Sequence, residues 1–202
     1  MQTREQAVAT RPMALLLLAT LGSFTCFHLL LSVVPLYAVA GGAGEVGAGA
    51  ATAALMLSTV AAQLQVPRLA ARVGYRPLLA CGMVLLGAPA LLLIPSSGLP
   101  TVVGVSLARG VGFGAVTVVG SALVAELVPA ERRGSGLGLY GVAVGVPSLA
   151  VLPLGVWLAQ NVGYTPVFVM GATAPLLALA AVPGLGAHRP HAPERRDGVL
   201  AG

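Results

Sequence analysis

Six mainly apolar runs account for most of the chain, at about residues 13–38, 46–66, 77–95, 99–128, 136–160 and 165–182, and the connections between them are too short to hold another domain. A helix needs roughly 20 such residues to cross a bilayer. In lipid the backbone must satisfy its own hydrogen bonds, so runs of this length span as helices. Charge then sets their direction. Every basic residue among the 11 is arginine. With the N-terminus in the cytoplasm, Arg4 and Arg11, then Arg68, Arg72 and Arg76, then Arg132 and Arg133, then Arg189, Arg195 and Arg196 fall on the cytoplasmic side. The outer connections carry no arginine, and their one charge is Glu45. Because arginine concentrates in cytoplasmic loops, the pattern predicts an integral protein of the plasma (inner) membrane with both termini cytoplasmic.

Composition agrees. Only 8% of residues are charged and 57% are apolar, against about a quarter charged in a soluble domain. The formal charge of +5 therefore reports topology and contact with the lipid bilayer, and no nucleic-acid surface is expected. Arg4 and Arg11 precede a run ending in Ala38-Val39-Ala40, which resembles a signal-peptide cleavage site, but the run is far longer than the ~7 to 15 residues of a signal core. The first span is therefore expected to be retained. Cys26 and Cys81 both lie in apolar runs, so two free, packed thiols are expected. His188 and His191 lack further ligands nearby, and neither metal nor cofactor is expected.

Val73-Gly74-Tyr75-Arg76-Pro77 recurs 89 residues later as Val162-Gly163-Tyr164-Thr165-Pro166. Shifting the first span by 89 places it inside the fourth, and shifting the second places it inside the fifth. The chain thus reads as three spans written twice. Three being odd, the second copy enters the membrane from the opposite side, which gives an all-α 3+3 inverted repeat of the kind on which many secondary transporters are built.

Polar residues are concentrated in spans one, two and four. Thr25, His28, Ser32 and Pro35 share one face of span one, and Thr52, Thr59 and Gln63 share one face of span two. Span four carries Ser106, Gly110, Gly114, Thr117 and Ser121 in a stripe. Such stripes either pack helices closely or line a watery cavity. Proline within a span frees a carbonyl and kinks the helix. Pro35, Pro89, Pro147, Pro153 and Pro175 are so placed, and span five, with Gly141, Gly145 and Gly155 beside its two prolines, is expected to be bent and tightly packed. Residues 1–12 read as a cytoplasmic N-terminus and 183–202, rich in Pro, Gly and charge, as a disordered cytoplasmic tail.

Taken in order, these features resemble the N-terminal six-span half of a major facilitator superfamily transporter over residues 13–182. That family carries G-x-L-A-D-R-x-G-R-R between spans two and three, and Pro67-Arg68-Leu69-Ala70-Ala71-Arg72-Val73-Gly74-Tyr75-Arg76 matches it at Leu, Ala, Arg, Gly and the last Arg. Pro67 replaces the leading Gly and Ala71 the Asp that helps latch the family's two halves. Arg109 stands where the family has R-x-x-Q-G, with Gly112 and Phe113 in place of Gln and Gly. Pro129-Ala130-Glu131-Arg132-Arg133-Gly134 is similar to the family's connection into span five. Gly141-x-x-x-Gly145-Val146-Pro147 with Pro153-Leu154-Gly155 resembles the Gly-Pro motif of its exporters. The resemblance implies a gating loop of Arg68, Arg72, Gly74 and Arg76 facing Glu126, and packing or kinking roles for Gly141, Gly145, Pro147 and Pro153.

Arg109 is the one charge well inside a span. An arginine there costs roughly 2.5 to 3.5 kcal/mol on insertion scales, so it should face the bundle interior and find an acceptor. Glu126 is 17 residues along the same helix, about 25 Å away. Arg109 either contacts substrate or bonds kinked backbone. His28, at similar depth, either takes part in coupling or is a neutral core histidine. The candidate substrate and coupling set is Arg109, His28, Thr25, Ser32 and Gln63. Glu126 either pairs with Arg72 or is a hydrated interfacial carboxylate.

Three functions compete. A transporter moving a small-molecule substrate, of exporter type, would need a second six-span unit, supplied by a homodimer or a complementary half. A non-transporting remnant or a structural partner of another membrane protein would explain everything but Arg109 and the polar faces. An intramembrane enzyme is not expected: H-E-x-x-H is absent, and Arg133-Gly134-Ser135-Gly136 lacks the first Gly of a G-x-S-G protease.

Overall fold

The computed structural model of the protein describes residues 10–186. Arg4, the tail arginines, His188, His191 and most of the two terminal segments lie outside the described residues. Within them the chain is helical and carries no strand. Five continuous stretches are long and apolar enough to cross a membrane. The first, Arg11–Val73, is 63 residues long, which as one straight helix would measure about 95 Å. It is broken by a π-helical turn at Val39–Ala43, where Gly42 takes φ 87° and ψ 4°. The break divides it into α1, Arg11–Ala38, and α2, Gly44–Val73, and the two pack against each other.

The remaining helices are α3, Tyr75–Gly87, continued by a tight 3-10 segment to Leu93; α4, Leu99–Leu127; α5, Arg133–Asn161; and α6, Tyr164–Ala178, continued by a 3-10 segment to Leu185. Pro89 stands at the start of the first 3-10 segment and Pro183 lies within the second. The basic connection is shorter than the sequence suggests, because α2 runs through Pro67 to Val73 and leaves Gly74 alone between helices. Leu69, Ala70, Ala71 and Arg72 are strong helix formers, and they carry the helix past a proline that removes only one backbone donor.

Packing follows the repeat. The most extensive pairings are α2 with α4 and α1 with α5, followed by α3 with α4 and α1 with α6. Exchanging each helix of the first triplet for its counterpart in the second turns these pairs into one another, as an inverted repeat requires. The ends also sort. The Tyr37 hydroxyl donates to the Leu93 carbonyl at 2.6 Å, and its ring meets Tyr164 and Phe168 edge-on, tying the end of α1, the end of the α3 segment and the start of α6 together. At the opposite end Arg76 donates to the Pro183 carbonyl, and Leu15 lies against Gly184.

Buried side chains form two clusters. One, with Met13, Leu16, Met83 and Leu123, lies toward the arginine-rich end; the other, with Leu30, Leu93, Val105 and Phe168, lies toward the tyrosine end. The expectation of a tightly packed span five is corrected. Pro147 and Gly155 are buried, and Gly155 packs on the Leu29 carbonyl. A methyl group added at Gly141 or Gly145, however, would meet nothing within 4 Å. Leu149 is 82% exposed and Val142 57% exposed on the same helix. Gly141 and Gly145 thus face outward, whereas Gly136 and Gly155 of the same helix pack inward.

Candidate functional site

The small-residue stripe of α4 is the seam that fixes the site. Gly110 and Gly114 let α2 approach so closely that a methyl at Gly110 would collide with the Ser58 hydroxyl and the Leu55 carbonyl, and one at Gly114 would lie 2.8 Å from the Thr59 carbonyl. The Thr59 hydroxyl sits between the carbonyls of Leu55, 2.7 Å away in its own helix, and Gly110, 3.1 Å away across the seam. Gln63 donates from Nε2 to the Thr117 hydroxyl at 3.1 Å. Thr59, Gln63, Gly110, Gly114 and Thr117 therefore act first as packing and interhelical bonding.

The seam holds Arg109 inside. Its side chain is 1% exposed. Nε and Nη2 have no hydrogen-bond partner among the described residues, and no carboxylate is paired with it there. Its polar neighbour is Cys26 of α1. The Cys26 thiol gives its proton to the Leu86 carbonyl, Sγ to oxygen 3.5 Å, which leaves sulfur lone pairs as a weak acceptor for the guanidinium. Beside Arg109 is a cavity of about 10 Å³ lined by Thr52, Ser106, Leu31 and Pro35 among others. That is room for about one water.

The repeat shows how unusual this position is. Subtracting 89 from 109 gives Thr20, and subtracting 89 from 140 gives Ala51. Thr20 and Tyr140 lie together at the arginine-rich end, whereas their counterparts Arg109 and Ala51 both line the cavity. One copy buries a neutral threonine where the other buries a charge.

The remaining candidates are divided. Thr25, His28, Ser32 and Pro35 share a stripe about 80° wide, but its edges meet different neighbours. Thr25 lines a separate groove of about 200 Å³ with Val151, Met170 and Thr173, between α1, α5 and α6, whereas Pro35 lines the Arg109 cavity. Ser32 Oγ is buried without a partner among the described residues. His28 places Nδ1 2.9 Å from the Phe24 carbonyl and lies within an aromatic cluster of Phe24, Phe27 and Phe113. Phe113 stacks on Phe27, with ring centroids 3.6 Å apart and planes 5° from parallel. This stack joins α1 to α4 one turn from Arg109. Neither Phe113 nor Cys26 stands out as a site residue in the sequence, since each draws its meaning from a crossing between distant segments.

Arg68 and Arg72 share a recess with Gln65 and Leu69. No Arg72–Glu126 ion pair is among the described contacts, and the side chain on which Glu126 acts is Tyr75. Arg133 donates from Nε to the Ala125 carbonyl at 3.1 Å.

Residues 14–200 match the profile of the Major Facilitator Superfamily. Over 150 residues the chain is 29% identical to an uncharacterized MFS-type transporter of Mycobacterium tuberculosis, covering 72% of this chain and 25% of that protein. Among solved structures it is similar to the inward-open xylose transporter XylE of E. coli, with TM-score 0.73, 18% identity, and 87% of this chain against 48% of that one. A peptide transporter in complex with alafosfalin gives TM-score 0.75 at 18% identity, over 85% of this chain and 37% of that one. The human organic anion transporter gives 0.69 at 19%, over 90% and 48%. The chain spans a quarter to about half of the length of these relatives.

Proposed function

The chain belongs to the Major Facilitator Superfamily, and from that premise we propose that it is one six-span unit of a secondary transporter that moves a small anionic solute by rocking about a midplane site. The observation that carries this reading is Arg109, a buried guanidinium with two nitrogens unpartnered among the described residues. An unpaired charge in that position is costly, and intramembrane charges of this kind mark substrate or ion paths. The cavity beside it is too small for a solute. Movement of α1 and α2 away from α4 is what would admit an anionic group to Nε and Nη2. The Phe27–Phe113 stack and the Thr59–Gly110 contact are the surfaces that must slide or hold as that happens.

Six crossings follow if the break at Gly42 is a membrane turn, since α1 and α2 are each long enough to span. The arginine distribution favours cytoplasmic termini in a plasma membrane. The outward Gly141 and Gly145 of α5 and its exposed apolar side chains favour a second six-span unit, either another copy or a complementary half, packed across that face. Efflux is the direction favoured by the resemblance of the α5 Gly-Pro pattern to exporters. A second reading, a non-transporting partner, is favoured by Ala71, which replaces the latch Asp of the family's loop. Export of anionic metabolites from cells expressing wild-type or R109Q protein separates the two. Lost export with normal membrane assembly supports the transporter; unchanged export and assembly support the non-transporting partner.

A further inference from the structure

We propose that the outer surface of α2, α3 and α4 holds one anionic phospholipid, its phosphate between Arg68 and Arg72 and an acyl chain in the adjoining apolar groove. The groove is about 350 Å³ and is lined by Val66, Leu78, Cys81, Leu85 and Val111, among others. It shares Gln65 and Leu69 with a recess of about 210 Å³ whose other walls are Arg68 and Arg72. An apolar trough thus runs directly into a doubly charged pocket.

Length fits a lipid. Along α2 the lining extends from Ser58 to Leu69, about 16 Å at 1.5 Å per residue. That is roughly half of a ~30 Å hydrocarbon core, the depth of one leaflet.

Charge fits an anion. Of the three arginines in this stretch, Arg76 is bonded to the Pro183 carbonyl, whereas Arg68 and Arg72 have no protein partner among the described residues. No carboxylate lines either space. A phosphate accepts from two guanidinium groups, and the exposed Gln65 amide adds a donor. In a zwitterionic headgroup the ammonium offsets the attraction of the phosphate, so the pocket favours a net-negative lipid such as phosphatidylglycerol. A free phosphate would use the arginines but have no use for the trough.

The test is native mass spectrometry of the whole protein, released from detergent in the presence of phosphatidylglycerol or phosphatidylcholine. One phosphatidylglycerol should be retained in preference to phosphatidylcholine. R68Q/R72Q should lower that retention by about 30-fold, the combined effect of two arginines near an anionic surface. C81W, which fills the trough without touching charge, should lower retention of both lipids, and an unchanged thermal melt for each variant shows that the fold is intact. Equal retention of the two lipids by the wild type, or wild-type retention by R68Q/R72Q or by C81W, overturns the proposal. So does displacement of the lipid by glycerol 1-phosphate at matched concentration, which would leave a site for phosphate alone.

Discussion

Gly74 and Gly163 adopt the same backbone conformation at equivalent turns, φ 86° and ψ 168° in the first and φ 114° and ψ 174° in the second. This region is open to glycine and almost closed to other residues. Gly74 joins α2 to α3 with no other residue between them, and Gly163 stands immediately before α6. Gly74→Ala and Gly163→Ala should each destabilise the protein by about 1 to 3 kcal/mol. Thermal unfolding in detergent should show both losses and show them to be similar, as expected of two copies of one turn.

Arg109 should be a functional rather than a stabilising charge. Replacing a buried, unpaired arginine with an apolar side chain removes a desolvation cost, so R109L is expected to leave stability unchanged or raise it by about 1 to 4 kcal/mol. The same change should abolish transport. A melt lowered by R109L would instead assign Arg109 to the structural bonding of the α1–α3–α4 junction.

Gly110 should behave oppositely to Gly141 and Gly145. G110A forces α2 away from α4, because the new methyl meets Ser58 and Leu55, and should cost about 1 to 3 kcal/mol. Gly141 and Gly145 face open space, so G141A and G145A should be neutral or should stabilise the isolated unit by up to about 1 kcal/mol. If another unit packs on α5, G141L should weaken that association while the melt of the separated unit is unchanged. Unfolding curves and sedimentation of the same samples check both expectations.

Orientation can be read chemically. In a C81S background the remaining cysteine, Cys26, is buried. A cysteine at exposed position 161 should react with a membrane-impermeant maleimide applied outside intact cells, and one at exposed position 71 should react only after permeabilisation. The reverse pattern would place the arginine-rich end outside.

The recurrence of V-G-Y-x-P makes the inverted repeat legible in the sequence, because both copies place glycine at a turn that other residues rarely adopt. Helix positions were legible for the same local reason, namely length and hydropathy. The continuation of α2 through Pro67 was not, since a proline is a weak guide to where a helix ends when Leu, Ala and Arg follow it. Arg109 was legible as a charge in the wrong solvent. Its neighbour Cys26 and the Phe27–Phe113 stack were not, because they arise where α1 crosses α4. Thr25 shows the limit of helical faces: one stripe of α1 borders two grooves, and only packing decides which residue faces which.

The most direct test of the account is the mass of the 20.1 kDa chain purified in lipid nanodiscs. A site completed by a second unit across the outer face of α5 predicts a homogeneous particle containing two six-span units, either two copies or one copy with a complementary partner. A particle holding a single copy and no partner would contradict it, leaving Arg109 without the second wall that a transport cavity needs.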